Sequence, residues 1–224
     1  MQLIQCTDWK RYNMRENGVF RITLEGKRSP ATIQGGPLSS DVYELSEVVF
    51  RWGSSSCKGA EHTLNGTWFT MEAQAIHFNR RYERIENCWD KNDGLAICAY
   101  FLQVYQVPVW DEHPLFSKIT DNLEVKAVDS KLKKSFFHAD SFSNSADYIY
   151  VYIVNSFCYY TYLGSTTMFP CHECVTWIVF PEPVRISENQ AQLFRLLRNK
   201  QDICIKENYR EVQNLNGRVI YYVN

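Results

Sequence analysis

Cys171-His172-Glu173-Cys174 is a compact grouping of reactive side chains in this chain. A Cys-x-x-Cys can hold zinc or cycle between dithiol and disulfide. A structural zinc site needs a second pair, and Cys6, Cys57, Cys88, Cys98, Cys158 and Cys204 lack that spacing. No βαβ pattern surrounds the motif, which weighs against a redox site. Eight cysteines in 224 residues fall well below the roughly 8–10% of a disulfide scaffold, so most read as buried free thiols. Lys126, Lys131, Lys133 and Lys134 could take an anion or a glycan. They read more simply as a solvated face near a helix end. Tyr148, Tyr150 and Tyr152 alternate with Ile149, Val151 and Ile153, as in a strand with two distinct faces. Tyrosines are enriched at interfaces, so these three are candidate partner-binding residues. The sequon Asn65-Gly66-Thr67 has meaning only in a secreted protein.

The composition points to a globular scaffold for these groups. The chain is 45% hydrophobic and carries 6 Trp, 14 Tyr and 13 Phe, ample apolar surface to offset ordering entropy. With 24 basic against 25 acidic residues, it lacks the basic excess of a nucleic-acid binder. No apolar run approaches the roughly 20 residues of a membrane span. Residues 1–18 hold no secretory pattern, so the sequence predicts a cytoplasmic protein.

Six stretches combine β-branched and aromatic residues between turn signals: 19–24, 48–52, 68–78, 95–104, 148–154 and 175–180. The best helix signal is Ser187 to Arg198. There Ser187 and Gln190 form a capping box, and Leu193, Leu196 and Leu197 recur at helical spacing. A shorter helix is predicted near residues 114–125. Leu95 to Phe101 is apolar on both faces, as in a sheet covered on both sides. These signals predict one mostly β domain over residues 1–224, built on a large, mainly antiparallel sheet.

Two further stretches carry a family resemblance. One is Val49-Phe50-Arg51-Trp52-Gly53 with Lys58-Gly59-Ala60-Glu61-His62-Thr63. The other is Met71-Glu72-Ala73-Gln74-Ala75-Ile76-His77-Phe78-Asn79. Together they resemble the α-class carbonic anhydrases. Gly35-Gly36-Pro37-Leu38, Tyr162 to Thr167, Glu173 to Phe180 and Glu207-Asn208-Tyr209-Arg210 fit the same family in the same order. The resemblance covers nearly all of the chain from about Asn17. It implies a central twisted, mainly antiparallel sheet with short peripheral helices.

The resemblance also implies three zinc-binding imidazoles, two on one strand and one on its neighbour. At those positions this chain has Val49, Arg51 and Gln74. Valine has no lone pair, arginine stays protonated, and a lone glutamine oxygen is a poor ligand for zinc. Of the five histidines, His62 and His77 match structural histidines of the family, and His113, His138 and His172 lie outside its motif. Thr167 and Glu61 match the pair that orients the zinc-bound hydroxide, and Glu72 matches a carboxylate behind one zinc ligand. The proton-shuttling histidine would fall near Val19, where there is none.

The expected protein is therefore a catalytically inactive carbonic-anhydrase-related module with no metal or other cofactor. Its expected partner is another protein, with no nucleic acid and no membrane insertion. The alternative is residual or metal-shifted hydratase or esterase activity. The family's amino-terminal flank is missing, so either the true start lies upstream or the fold tolerates the loss. In secreted members a cysteine of that flank bridges to the position of Cys171, which leaves Cys171 either free or paired with Cys6. A buried cation at Arg51 needs a carboxylate, and Glu72 and Glu61 are the candidates.

Overall fold

The computed structural model describes residues 20–23, 31–105, 113, 116–117, 119–120, 158–199 and 202–224. Among them the strands are β1 (Phe20–Thr23), β2 (Thr32–Ile33), β3 (Tyr43–Trp52), β4 (Met71–Asn79), β5 (Leu95–Val104), β6 (Tyr159–Gly164), β7 (Val175–Ile186) and β8 (Tyr221–Val223). They form one sheet in the order β1-β3-β4-β5-β7-β6-β8, with β2 also pairing β3. Every pairing is antiparallel except β5 with β7, which is parallel.

Each predicted strand within the described residues is present, and β5 spans the predicted 95–104. The others shift at their ends. β4 starts at Met71 rather than residue 68, and β7 runs on to Ile186 through Pro181 and Pro183. The sequence reading missed β2, β6 and β8. The predicted strand at 148–154 lies outside the described residues. Residues 116–117 and 119–120 are helical, within the short helix predicted there.

Alternation along the central strands divides the core in two, because successive side chains leave opposite faces of a sheet. One face carries Phe50, Trp52, Ala73, Ala75, Cys98 and Tyr100. The helix α1 (Glu188–Arg195) packs there through Ala191 and Phe194. Ser187 caps it by accepting from the Gln190 backbone N–H, and the Gln190 side chain closes the box on the Ser187 N–H. The other face carries Val49, Ile76, Ile97, Trp177 and Val179. The sheet is thus covered on the helix side by α1, while its other face carries the polar groups described below.

Close backbone packing forms the turn after β3. A Cβ at Gly53 would sit 1.7 Å from the Lys58 carbonyl oxygen, so no larger residue fits. The chain then returns along β4, with Glu61 and His62 passing over it. Trp52 ties a distant segment to the same strand end. Its indole N–H donates to the Ile205 carbonyl at 2.8 Å, and its backbone N–H donates to Asn208 Oδ1 at 2.9 Å. Among the described residues, no helix is long and apolar enough to cross a membrane.

His77 on β4 is fully buried, and its Nδ1 donates to the Ala75 carbonyl at 2.9 Å. Burial pushes its pKa down from 6.5 to about 4. Between those values the unfolded chain binds a proton that the folded chain refuses. The associated stability is complete above about pH 6.5 and is lost as pH falls toward 4. Urea unfolding should therefore show His77 alone losing about 2–3 kcal/mol between pH 7 and 4.5. His77→Gln should flatten that part of the curve, and an unchanged slope would refute the assignment.

Candidate functional site

Val49 and Arg51 sit two residues apart on β3, so both side chains leave the same face. In the pairing with β4, Val49 is opposite Gln74 and Arg51 is opposite Glu72. Arg51 and Gln74 are therefore diagonal neighbours, within reach for long side chains. All three positions are buried: Val49 is 0% exposed, Arg51 4% and Gln74 2%.

A guanidinium this far from water destabilises the fold unless acceptors and a counter-charge surround it. Arg51 Nε lies 3.3 Å from Glu61 Oε1. Nη2 donates to the Thr167 hydroxyl oxygen at 3.1 Å, and Nη1 reaches the Asn208 carbonyl at 3.4 Å. The Nε approach to Glu61 lacks hydrogen-bond alignment, so it is charge attraction that joins the pair. Of the two expected carboxylates, Glu61 is the partner.

Glu61 is held from three sides. Besides Arg51, its Oε2 accepts from Gln74 Nε2 at 2.7 Å, and its Oε1 accepts from the Arg210 backbone N–H at 2.9 Å. Glu72 is occupied elsewhere. Its Oε2 accepts the backbone N–H groups of Glu61 and His62 at 3.0 and 2.9 Å. Its Oε1 accepts from His62 Nδ1 and from Gln74 Nε2, both at 2.9 Å. Burial by itself raises the Glu72 pKa. The charge and hydrogen bonds of His62, with the Gln74 amide, outweigh that and hold the carboxyl below its ordinary range. His62 Nε2 lies 2.7 Å from the Tyr162 hydroxyl. The Gln74 amide thus bridges two carboxylates with both of its protons.

A cavity of about 250 Å³ opens on this face. Arg51, Gln74 and Thr167 supply polar groups to its lining, while Ile76, Ile85, Trp89, Ile97 and Phe169 form apolar walls. Glu47 also lines it and pairs with Arg21 at 3.2 Å. His172 stacks on Trp89 with ring centroids 5.5 Å apart. The donor set at Val49, Arg51 and Gln74 does not fit zinc. It offers one neutral amide oxygen, no imidazole or thiolate, and a fixed positive charge that repels a dication. Among the described residues, no group of three or more His, Cys, Asp or Glu side chains could hold a metal ion.

The structure thus gathers Val49, Arg51, Gln74, Glu61, Glu72 and Thr167 around one site. Tyr148, Tyr150 and Tyr152 lie outside the described residues, as do the four lysines and Cys6. Cys171 is disulfide-bonded, whereas Cys174 is a buried free thiol, so the Cys-x-x-Cys is not an internal pair. The other described cysteines, Cys57, Cys88, Cys98, Cys158 and Cys204, are also free. Residue-by-residue reading missed Asn208, whose carbonyl meets Arg51 and whose side-chain amide donates to the Phe50 carbonyl at 3.0 Å. It also missed the Arg210 backbone and the Tyr162 hydroxyl. Their sequence signal was membership of the Glu207 to Arg210 and Tyr162 to Thr167 stretches, with nothing to show what they touch.

Comparison with known proteins finds relatives along most of the chain. Residues 3–224 match the family model described as eukaryotic-type carbonic anhydrase. Carbonic anhydrase 1 of Oryctolagus cuniculus is 38% identical over 206 residues, covering 90% of this chain and 81% of that protein. Carbonic anhydrase 7 of Mus musculus is 36% identical over 194 residues, covering 84% and 67%. Carbonic anhydrase 3 of Homo sapiens is 28% identical over 204 residues, covering 89% and 73%.

The buried ion pair sets the mutational pattern. Arg51→Met leaves Glu61 buried without its counter-charge and should cost about 3–5 kcal/mol in urea unfolding. Arg51→Met/Glu61→Gln removes both charges and should cost less than Arg51→Met alone. A double variant whose cost equals the sum of the two single costs would show that the pair is not coupled.

Proposed function

The chain belongs to the eukaryotic-type carbonic anhydrase family, and within it we propose a zinc-free, catalytically inactive member that acts as a protein-binding or scaffold module. In this reading Val49, Arg51 and Gln74 stand at the three zinc-ligand positions. Catalytic zinc in carbonic anhydrase rests on three imidazoles and lowers the pKa of its water to about 7. None of the three residues here supplies an imidazole. The observation that carries the proposal is the Arg51–Glu61 pair at 3.3 Å. A permanent cation lies at the site and has taken the carboxylate that, by the resemblance, would orient the hydroxide. Thr167 and Glu61 are then vestigial, held by hydrogen bonds that stabilise the scaffold rather than by catalysis. Partner binding is the role left to such a fold, with Tyr148, Tyr150 and Tyr152 as the proposed contact.

The disulfide at Cys171 favours an oxidising compartment over the cytoplasm that the sequence predicts. A second reading, residual or metal-shifted hydration, draws on kinship with relatives that are named carbonic anhydrases. One pair of measurements separates the two. The purified protein should contain no stoichiometric zinc by elemental analysis and should hydrate carbon dioxide no faster than buffer. Val49→His/Arg51→His/Gln74→His should gain zinc but recover little activity, because a proton exit is still missing. One zinc per chain in the unaltered protein, or hydration above buffer, would overturn the proposal.

A further inference from the structure

The cavity beside Arg51 has its own hydrogen-bonding pattern. Gln74 donates both Nε2 protons to Glu61 and Glu72, so all it can offer a ligand is Oε1, an acceptor. Thr167 accepts from Arg51 Nη2 through its hydroxyl oxygen, which leaves its own proton to donate. Arg51 has five N–H groups. One faces Glu61 and two reach Thr167 and Asn208, so one proton on each Nη remains. The polar end of the cavity therefore presents donors from Arg51 and Thr167 beside an acceptor from Gln74. The walls, Ile76, Ile85, Trp89, Ile97 and Phe169, are apolar.

We infer that this cavity is a binding site for a neutral primary carboxamide carried on a small aromatic or branched apolar body. The inference rests on the zinc-free reading above, since a metal in the site would present different chemistry. A primary carboxamide carries the complementary set, with a carbonyl oxygen for Arg51 and Thr167 and an N–H for Gln74 Oε1. A carboxylate of the same shape matches poorly. It sets a second acceptor against Gln74, and the guanidinium charge it needs is already balanced by Glu61 at 3.3 Å. A tertiary amide has the carbonyl but no N–H to give. The size limit follows from the volume: about 250 Å³ lies below the ~300–1,000 Å³ of drug-sized sites, which suits a body of about one ring. Trp89 and Phe169 supply the flat surfaces against which such a ring would pack.

The test uses the full chain with benzamide, benzoate and N,N-dimethylbenzamide as probes. Elemental analysis of the same sample comes first, because bound zinc would defeat the underlying reading before any ligand is added. In zinc-free protein, saturable benzamide binding is expected by ligand-observed NMR, with quenching of Trp fluorescence. Benzoate and the dimethyl amide should bind about tenfold or more weakly, because each leaves a polar group of the site unmatched. Thr167→Val keeps the Arg51–Glu61 pair but removes one Arg51 acceptor. It should therefore lower the melting temperature modestly and, at a temperature where the variant is still folded, weaken benzamide about tenfold. Benzoate binding as tightly as benzamide would overturn the inference in favour of an anion site. Absence of saturable benzamide binding in zinc-free, folded protein would overturn it outright.

Discussion

A permanent positive charge inside the protein is the constraint on which the site depends. Arginine cannot shed its proton to escape burial, as lysine or histidine can. At 4% exposure, Arg51 has to find its solvation in the protein. Glu61 supplies the charge, while Thr167 and the Asn208 carbonyl supply acceptors from two other parts of the chain. Glu61 is in turn a buried carboxylate, and it is held by Gln74 and the Arg210 backbone. Gln74 carries the network on to Glu72, and Glu72 to His62 and Tyr162. Each member satisfies the next, and that makes so polar a cluster tolerable beneath an apolar cavity.

The two faces of the sheet divide the work. The face under α1 is filled by Phe50, Trp52, Phe116 and Phe194; the Phe194 ring lies 5.3, 5.6 and 5.5 Å from those of Phe50, Trp52 and Phe116. Burial of this kind contributes stability in rough proportion to the area removed from water. The opposite face gives up part of that area to Arg51, Gln74, Glu61 and Glu72, groups that need one another to remain buried. The polar network on that face already saturates its own charges, so what it can still offer a ligand is neutral hydrogen bonding.

Much of this arrangement was legible in the sequence, and for identifiable reasons. β3, β4, β5 and β7 announce themselves by dense β-branched and aromatic residues. Ser187 and Gln190 announce the start of α1. That Arg51 pairs with either Glu72 or Glu61 follows once the two motifs are laid side by side, because a buried cation needs a carboxylate. Choosing Glu61 over Glu72 needed the structure. Glu72 is the direct cross-strand partner of Arg51, yet its oxygens are taken by His62, Gln74 and the Glu61 backbone. What sequence could not supply are contacts whose spacing is long and whose chemistry lies in the backbone. The carbonyl of Asn208 and the N–H of Arg210 belong to every residue type, so no side-chain pattern marks them. β8 is three residues, two of them exposed, whose strand character comes from β6 beside it. The parallel pairing of β5 with β7 arises from connectivity rather than from either strand's residues.

On the proposed reading, a guanidinium paired with Glu61 occupies the place where the resemblance puts zinc. The most direct measurement is an anomalous difference map at the zinc edge, from crystals of the unaltered chain soaked in zinc. Ordered guanidinium density against Glu61 is expected, with no anomalous peak among Arg51, Gln74 and Thr167. A zinc peak there, with Arg51 turned away from Glu61, would contradict it.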